Sequence, residues 1–103
     1  MVNANKLVHS VRVDYSVTPV TTAAFVQIES SVPKNVRAVE VFDSSGSTLQ
    51  LAYGPTGSEV LALQIIPGGN ELRPLLLNLG LPLSLKAIDA DALVGECVLN
   101  FFY

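Results

Sequence analysis

Tryptophan is absent from this chain of 103 residues, and cysteine, histidine and methionine occur once each. A single cysteine excludes an internal disulfide, so the fold must hold together by packing. With one cysteine and one histidine, a zinc site would need carboxylates for its remaining ligands, and no ligand spacing supports that. Charge is scarce too. Only 15% of residues are charged, nine acids and six bases give a net -3, and neither sign forms a run. Phosphate binding draws on clustered cations that release counterions, whereas Lys6, Arg12, Lys34, Arg37, Arg73 and Lys86 stand singly. The pattern argues against nucleic acid as a partner. Long apolar runs are missing as well: the richest stretch, Leu72 to Leu85, is broken by Arg73, Pro74, Asn78, Gly80, Pro82 and Ser84, which excludes a membrane helix. No extended apolar segment follows Lys6, so no secretory signal is visible and a soluble, cytoplasmically made protein is expected. No stretch of ten or more residues has helical periodicity with caps; one turn around Asp89 to Leu93 is the sole helical hint.

What the chain has in abundance is apolar side chains, half of all residues. A single domain of this length removes only about 65% of its unfolded surface from water. Part of the apolar surplus must therefore stay outside, and large exposed apolar patches find partners. The imbalance points to a protein that lives in an interface.

Leu7 to Val17 alternates, with Leu7, Val11, Val13, Tyr15 and Val17 on odd positions and Ser10, Arg12, Asp14 and Ser16 on even ones. A period of two is that of a strand wet on one face, and Thr18-Pro19 marks its end. Ala23 to Ser30 alternates again, with Phe25 falling on the polar side as an exposed aromatic. Val36 to Phe42, the turn Asp43-Ser-Ser-Gly-Ser47 and Thr48 to Tyr53 read as a hairpin. After the turn cluster Gly54 to Ser58, the nearly continuous apolar run Val60 to Ile66 suits a strand covered on both faces, bounded by Pro67-Gly68-Gly69-Asn70. Leu72 to Leu77, Leu83 to Ile88 and Val94 to Phe102 complete eight segments. In the last, Cys97, Leu99, Phe101 and Tyr103 share the core face. Short strands about ten residues apart, joined by Gly, Pro and Ser, indicate a sandwich or barrel, and the expectation is one all-β domain over residues 1–103, an antiparallel sandwich of jelly-roll or immunoglobulin-like type.

Chemistry is thin along this frame. His9, on the inward register of the first strand, has no Gly-x-Ser-x-Gly elbow to serve and reads as a partly buried or interface histidine. Cys97 lies beside Val98 and Leu99, where a thiol acts as a small hydrophobe. Asp89 and Asp91 form the sole carboxylate pair in a loop, without the further oxygen ligands of a calcium loop, and read as solvated turn residues. Gly54 to Gly57 and Gly68-Gly69 lack the Gly-Lys-Ser/Thr ending of a phosphate loop. Phe25, Tyr53 and Tyr103 are the aromatics available to a sugar platform. No catalytic, cofactor or metal site emerges, and the chain reads as a non-enzyme.

From Ile65 onward comes an ordered set of features: the turn Pro67 to Gly69, a leucine-rich strand, Gly80-Leu-Pro-Leu-Ser-Leu-Lys-Ala87, the acidic-alanine turn Asp89 to Ala92, and Gly95-Glu-Cys-Val-Leu-Asn-Phe-Phe102. This order resembles the C-terminal half of small β-sandwich proteins of tailed bacteriophage particles, including capsid decoration (cement) proteins, over about the last 40 residues. The resemblance implies a virion component, made in the host cytoplasm, that docks on the major capsid protein and reinforces the head. It also implies self-association as a trimer or dimer, with the first and C-terminal strands as candidate pairing edges. A tail or head-completion role is its nearest variant; a carbohydrate- or receptor-binding sandwich module is the alternative.

Overall fold

β-branched and leucine-rich alternating segments cannot satisfy their backbone groups alone and must pair. The structure, a computed structural model, describes residues 6–31, 36–67, 73–77 (backbone only) and 81–102. Among them are eight strands: β1 (Leu7–Asp14), β2 (Val26–Glu29), β3 (Val36–Asp43), β4 (Leu49–Tyr53), β5 (Val60–Ile65), β6 (Arg73–Leu77), β7 (Leu83–Ala87) and β8 (Glu96–Phe102). They form two four-stranded sheets, ordered β1-β8-β3-β6 and β2-β7-β4-β5, with every pairing antiparallel. Consecutive strands change sheet at each connection except β4 to β5. The all-β sandwich is as the alternation implies, and this strand order is that of the jelly roll.

The core follows from the period of two. Val11 and Val13 of β1, Val39 and Val41 of β3, and Cys97, Leu99 and Phe101 of β8 point inward from one sheet. Leu49, Leu51, Leu63, Ile65, Leu83, Leu85 and Ala87 meet them from the other. Each large side chain buried this way contributes about 1.5–3 kcal/mol. Across the polar face of the first sheet, Ser10 Oγ donates to Asn100 Oδ1 (2.7 Å) and Asn100 Nδ2 to Glu40 Oε1 (3.3 Å).

Several sequence expectations need correction. β1 stops at Asp14, not Val17: the Asp14 carboxylate accepts the Ser16 N–H (2.9 Å) and hydroxyl (2.7 Å), and its carbonyl accepts the N–H groups of Val17 and Thr18. This local capture turns the chain before Pro19 can act. At the other end of β1, a bulge at Val8 turns Val8 toward the core and leaves Leu7 exposed. β2 is shorter than Ala23 to Ser30, and Phe25 is half-buried under the Lys86 ammonium, 5.6 Å from the ring centroid.

The expected hairpin of Val36 to Phe42 with Thr48 to Tyr53 does not form, because β3 and β4 belong to opposite sheets. Asp43 does build a turn, accepting the Ser45 N–H and hydroxyl, with Gly46 at φ 75°; the turn bridges the sheets instead of joining neighbours. Among the described residues β5 stands at the end of its sheet with Val60 and Leu61 exposed, and Ile66 just beyond it is exposed too, so it is not a strand covered on both faces. β8 lies between β1 and β3, so it is no pairing edge. Asp89 to Leu93 is a series of bends without a helical turn. The turn residues Gly68 to Asn70, Leu72, Gly80 and Tyr103 lie outside the described residues.

Candidate docking surface

Three connections meet at one end of the sandwich: residues 15–25 after β1, 44–48 after β3 and 88–95 after β7. Short polar side chains knit them together. The Tyr15 N–H donates to the Gly95 carbonyl (3.1 Å) and the Ser44 N–H to that of Glu96 (3.0 Å). Ser44 Oγ in turn accepts the Glu96 N–H (2.9 Å). Asp91 accepts the N–H (3.0 Å) and hydroxyl of Thr22, and those bonds hold its carboxyl below the usual range. Asp89 accepts the Thr48 N–H (3.2 Å), and the Ile88 N–H returns to the Thr48 carbonyl. The two acids therefore tie different loops, and among the described residues no group of three or more His, Cys, Asp or Glu can hold a metal.

Among the described residues the two most exposed large hydrophobic side chains project from this knitted end: Val17 at 76% and Val94 at 81%, with Ile88 also exposed. Their loops abut through the Tyr15–Gly95 hydrogen bond. A strand-parity reading of Val17 buries it, and only the Asp14-x-Ser16 pattern signals that the strand ends sooner. The other exposed large hydrophobics among the described residues lie on the outer face of the first sheet (Leu7, Phe42) and along or just beyond β5 (Val60, Leu61, Ile66). On the outer face Phe42 lies in a row with Val98 and Arg12, and the polar Ser10–Asn100–Glu40 row borders it. Arg12 Nε is held by Glu96 Oε1 (2.9 Å).

His9 spans the gap between the sheets. Its ring stacks on Phe101 (centroids 6.4 Å apart) and its Nε2 lies 2.6 Å from Glu29 Oε2. A bulge at Ile28 turns Glu29 inward to meet it, a partner with no sequence signal. Cys97 faces Val13 across the ladder, four residues along β1 from His9, which is about 13 Å at strand rise. The imidazole is thus out of reach of the thiol as an activating base. Gly54 and Gly57, both at positive φ, shape the β4–β5 hairpin turn. Tyr53 packs half-buried against the core.

Under the knitted end lies a second group that sequence did not bring together. The Tyr15 hydroxyl donates to Asp43 Oδ1 (2.7 Å) beside the buried Cys97. Burial, then the bond to Asp43, push the Tyr15 phenol above its ordinary range. Burial, with the negative Asp43 nearby, pushes the Cys97 thiol up to about 12. With rising pH the unfolded chain loses these protons near the ordinary values of 9.0 for a cysteine thiol and 10.0 for a tyrosine phenol, while the folded chain still keeps them. Stability is therefore whole below pH 9 and falls above it, by about 1.4 kcal/mol per pH unit for each lagging group. Urea unfolding from about pH 8 to 11 checks this. Cys97→Ala is expected to remove the step that begins near pH 9, and an unchanged slope in that variant contradicts the assignment.

No family model, no curated protein and no solved structure matches the chain.

Proposed function

We propose that this chain is a structural protein of a tailed-phage particle, a capsid decoration protein that docks on the major capsid protein and stabilises the head. One observation carries the reading: among the described residues the most solvent-exposed large apolar side chains, Val17 and Val94, project from loops fixed by hydrogen bonds to one another. Apolar groups held rigidly in water lose little freedom when a partner covers them, which is how preorganisation strengthens binding. Loops on a stable scaffold are also the usual carriers of recognition. A sandwich of short strands closed by short turns suits a reinforcing part, and jelly rolls recur in capsid proteins, an analogy of fold alone.

Gradient-purified particles of the encoding virus are expected to carry the chain in stoichiometric copies; its absence from them defeats the proposal. The variant Val17→Asp/Val94→Asp is expected to fold normally, since both sites are surface positions. It is expected to bind particles about 100-fold more weakly, each lost apolar contact and added charge contributing at least about 1.4 kcal/mol. Unaltered binding, measured by co-sedimentation, moves the docking surface away from this end.

A further inference from the structure

We propose that the hydrogen bond from Tyr15 to Asp43 is a latch that holds the loops bearing Val17 and Val94 in place, so that breaking it frees this end while the sandwich stays folded. The latch stands on the chain's own hydrogen bonds; its consequence for docking rests on the reading above.

Strand parity puts the two groups at the mouth of the core. Asp43 ends β3 in the inward register of Val39 and Val41, opposite the buried Cys97. Tyr15 follows β1 in the register of Val11 and Val13 and is buried with them. An inward carboxylate is costly unless donors meet it. Asp43 is met by three: the Tyr15 hydroxyl (2.7 Å) and the Ser45 N–H (3.3 Å) on Oδ1, and the Ser45 hydroxyl on Oδ2 (2.7 Å). Ser45 lies in the turn that Asp43 itself begins, whereas Tyr15 arrives from another connection.

A circuit of contacts closes through this bond. The Tyr15 N–H reaches the Gly95 carbonyl, and Gly95 is joined along the chain to Glu96. Glu96 exchanges hydrogen bonds with Ser44, which is joined in turn to Asp43. All three connections therefore share one ring, with Val17 two residues beyond Tyr15 and Val94 next to Gly95. The links differ in strength. The side-chain bonds of Ser44, like those of Asp14, Asp89 and Asp91 nearby, are exposed, where water competes for both partners. The Tyr15–Asp43 bond is part-buried and has a carboxylate as acceptor, a kind about twice as strong as a neutral bond. Once the hydroxyl is gone, that side of the carboxylate faces the buried Cys97 and draws in water to replace its donor, which parts the loops.

The test is hydrogen exchange on the intact chain at neutral pH. In Tyr15→Phe, which keeps the ring and removes the hydroxyl, the amides of residue 15, Ser44 and Glu96 are expected to exchange at least about 10-fold faster than in the wild type. Val36→Ala trims a buried side chain at the far end of β3; it is expected to lower the urea midpoint and leave those loop amides at their wild-type rates. If Tyr15→Phe fails to fold by circular dichroism, Asp43→Asn is read in its place. Unchanged loop rates in the latch variant, or equal acceleration in Val36→Ala, overturn the proposal. In co-sedimentation with purified particles, Tyr15→Phe is expected to bind about 10-fold more weakly although Val17 and Val94 are intact. Wild-type binding by Tyr15→Phe, where Val17→Asp/Val94→Asp has lost it, also overturns the latch. Unaltered binding by Val17→Asp/Val94→Asp defeats the docking reading instead, and the exchange rates then decide the latch alone.

Discussion

Phe101→Ala is expected to lower the unfolding free energy by about 3–5 kcal/mol, the range for removing a buried aromatic ring. Domains of this kind rest on only about 5–15 kcal/mol, so one substitution takes a third or more of the margin. Phe101 is fully buried and is the largest such side chain among the described residues. On β8 it stands between His9 of β1 and Val39 of β3, and its ring is the surface on which His9 stacks. Neighbours held in two hydrogen-bonded sheets cannot collapse into the space it leaves, so a cavity term adds to the lost transfer term. Urea unfolding at neutral pH measures the loss. The same change at Phe42, which is 42% exposed on the outer face, is expected to cost less than about 1 kcal/mol. Equal costs at the two sites would contradict the inward assignment of Phe101.

Gly95→Ala is the second large effect, expected at about 2–4 kcal/mol. Two causes add. Gly95 has φ 107°, a backbone region that L side chains rarely adopt, and such strain costs about 1–3 kcal/mol. A Cβ there also overlaps the Ser44 Oγ, which is engaged with the Glu96 N–H and carbonyl. Pushing that hydroxyl aside forfeits bonds of about 0.5–1.5 kcal/mol each. Gly46→Ala separates the causes, because Gly46 has φ 75° but no atom within 4 Å of its added Cβ; it is expected to cost about 1 kcal/mol. A double-mutant cycle of Gly95→Ala with Ser44→Ala is expected to show coupling of at least about 0.5 kcal/mol. Additive costs would mean that Ser44 plays no part. Since Gly95 accepts the Tyr15 N–H beside Val17 and Val94, the Gly95→Ala variant also tests how far docking depends on the knit of the loops.

The strands themselves were legible. Alternation, apolar runs and the turn residues between them located all eight, and in β8 alternation assigned Cys97, Leu99 and Phe101 to the core, as found. Alternation failed where a residue was captured locally or an extra one inserted: at Asp14, whose carboxylate ends β1 early, and at Val8, Ile28 and Ala62, where bulges shift the register. A bulge leaves no compositional mark in a run of apolar residues. The loop end that carries Val17 and Val94 was legible only in part. That apolar surface must remain outside followed from composition, but that it includes Val17 and Val94 depended on where the turns fell. His9 and Cys97 stood out in sequence; their partners Glu29, Tyr15 and Asp43 did not, since each arrives from a distant segment.

By itself the sequence determined that the chain makes short strands with one apolar face and must pack them into a sandwich, because side-chain alternation and turn chemistry depend only on near neighbours along the chain. Which strand pairs with which only the tertiary structure decided. Leu7 pairs with Phe102 across nearly the whole chain, while the adjacent β3 and β4 part into different sheets. The physical reason is that ladder hydrogen bonds are made by the backbone, which is the same in every strand. The choice of partner comes from the joint packing of two apolar faces, a property of the assembled core and not of any one segment.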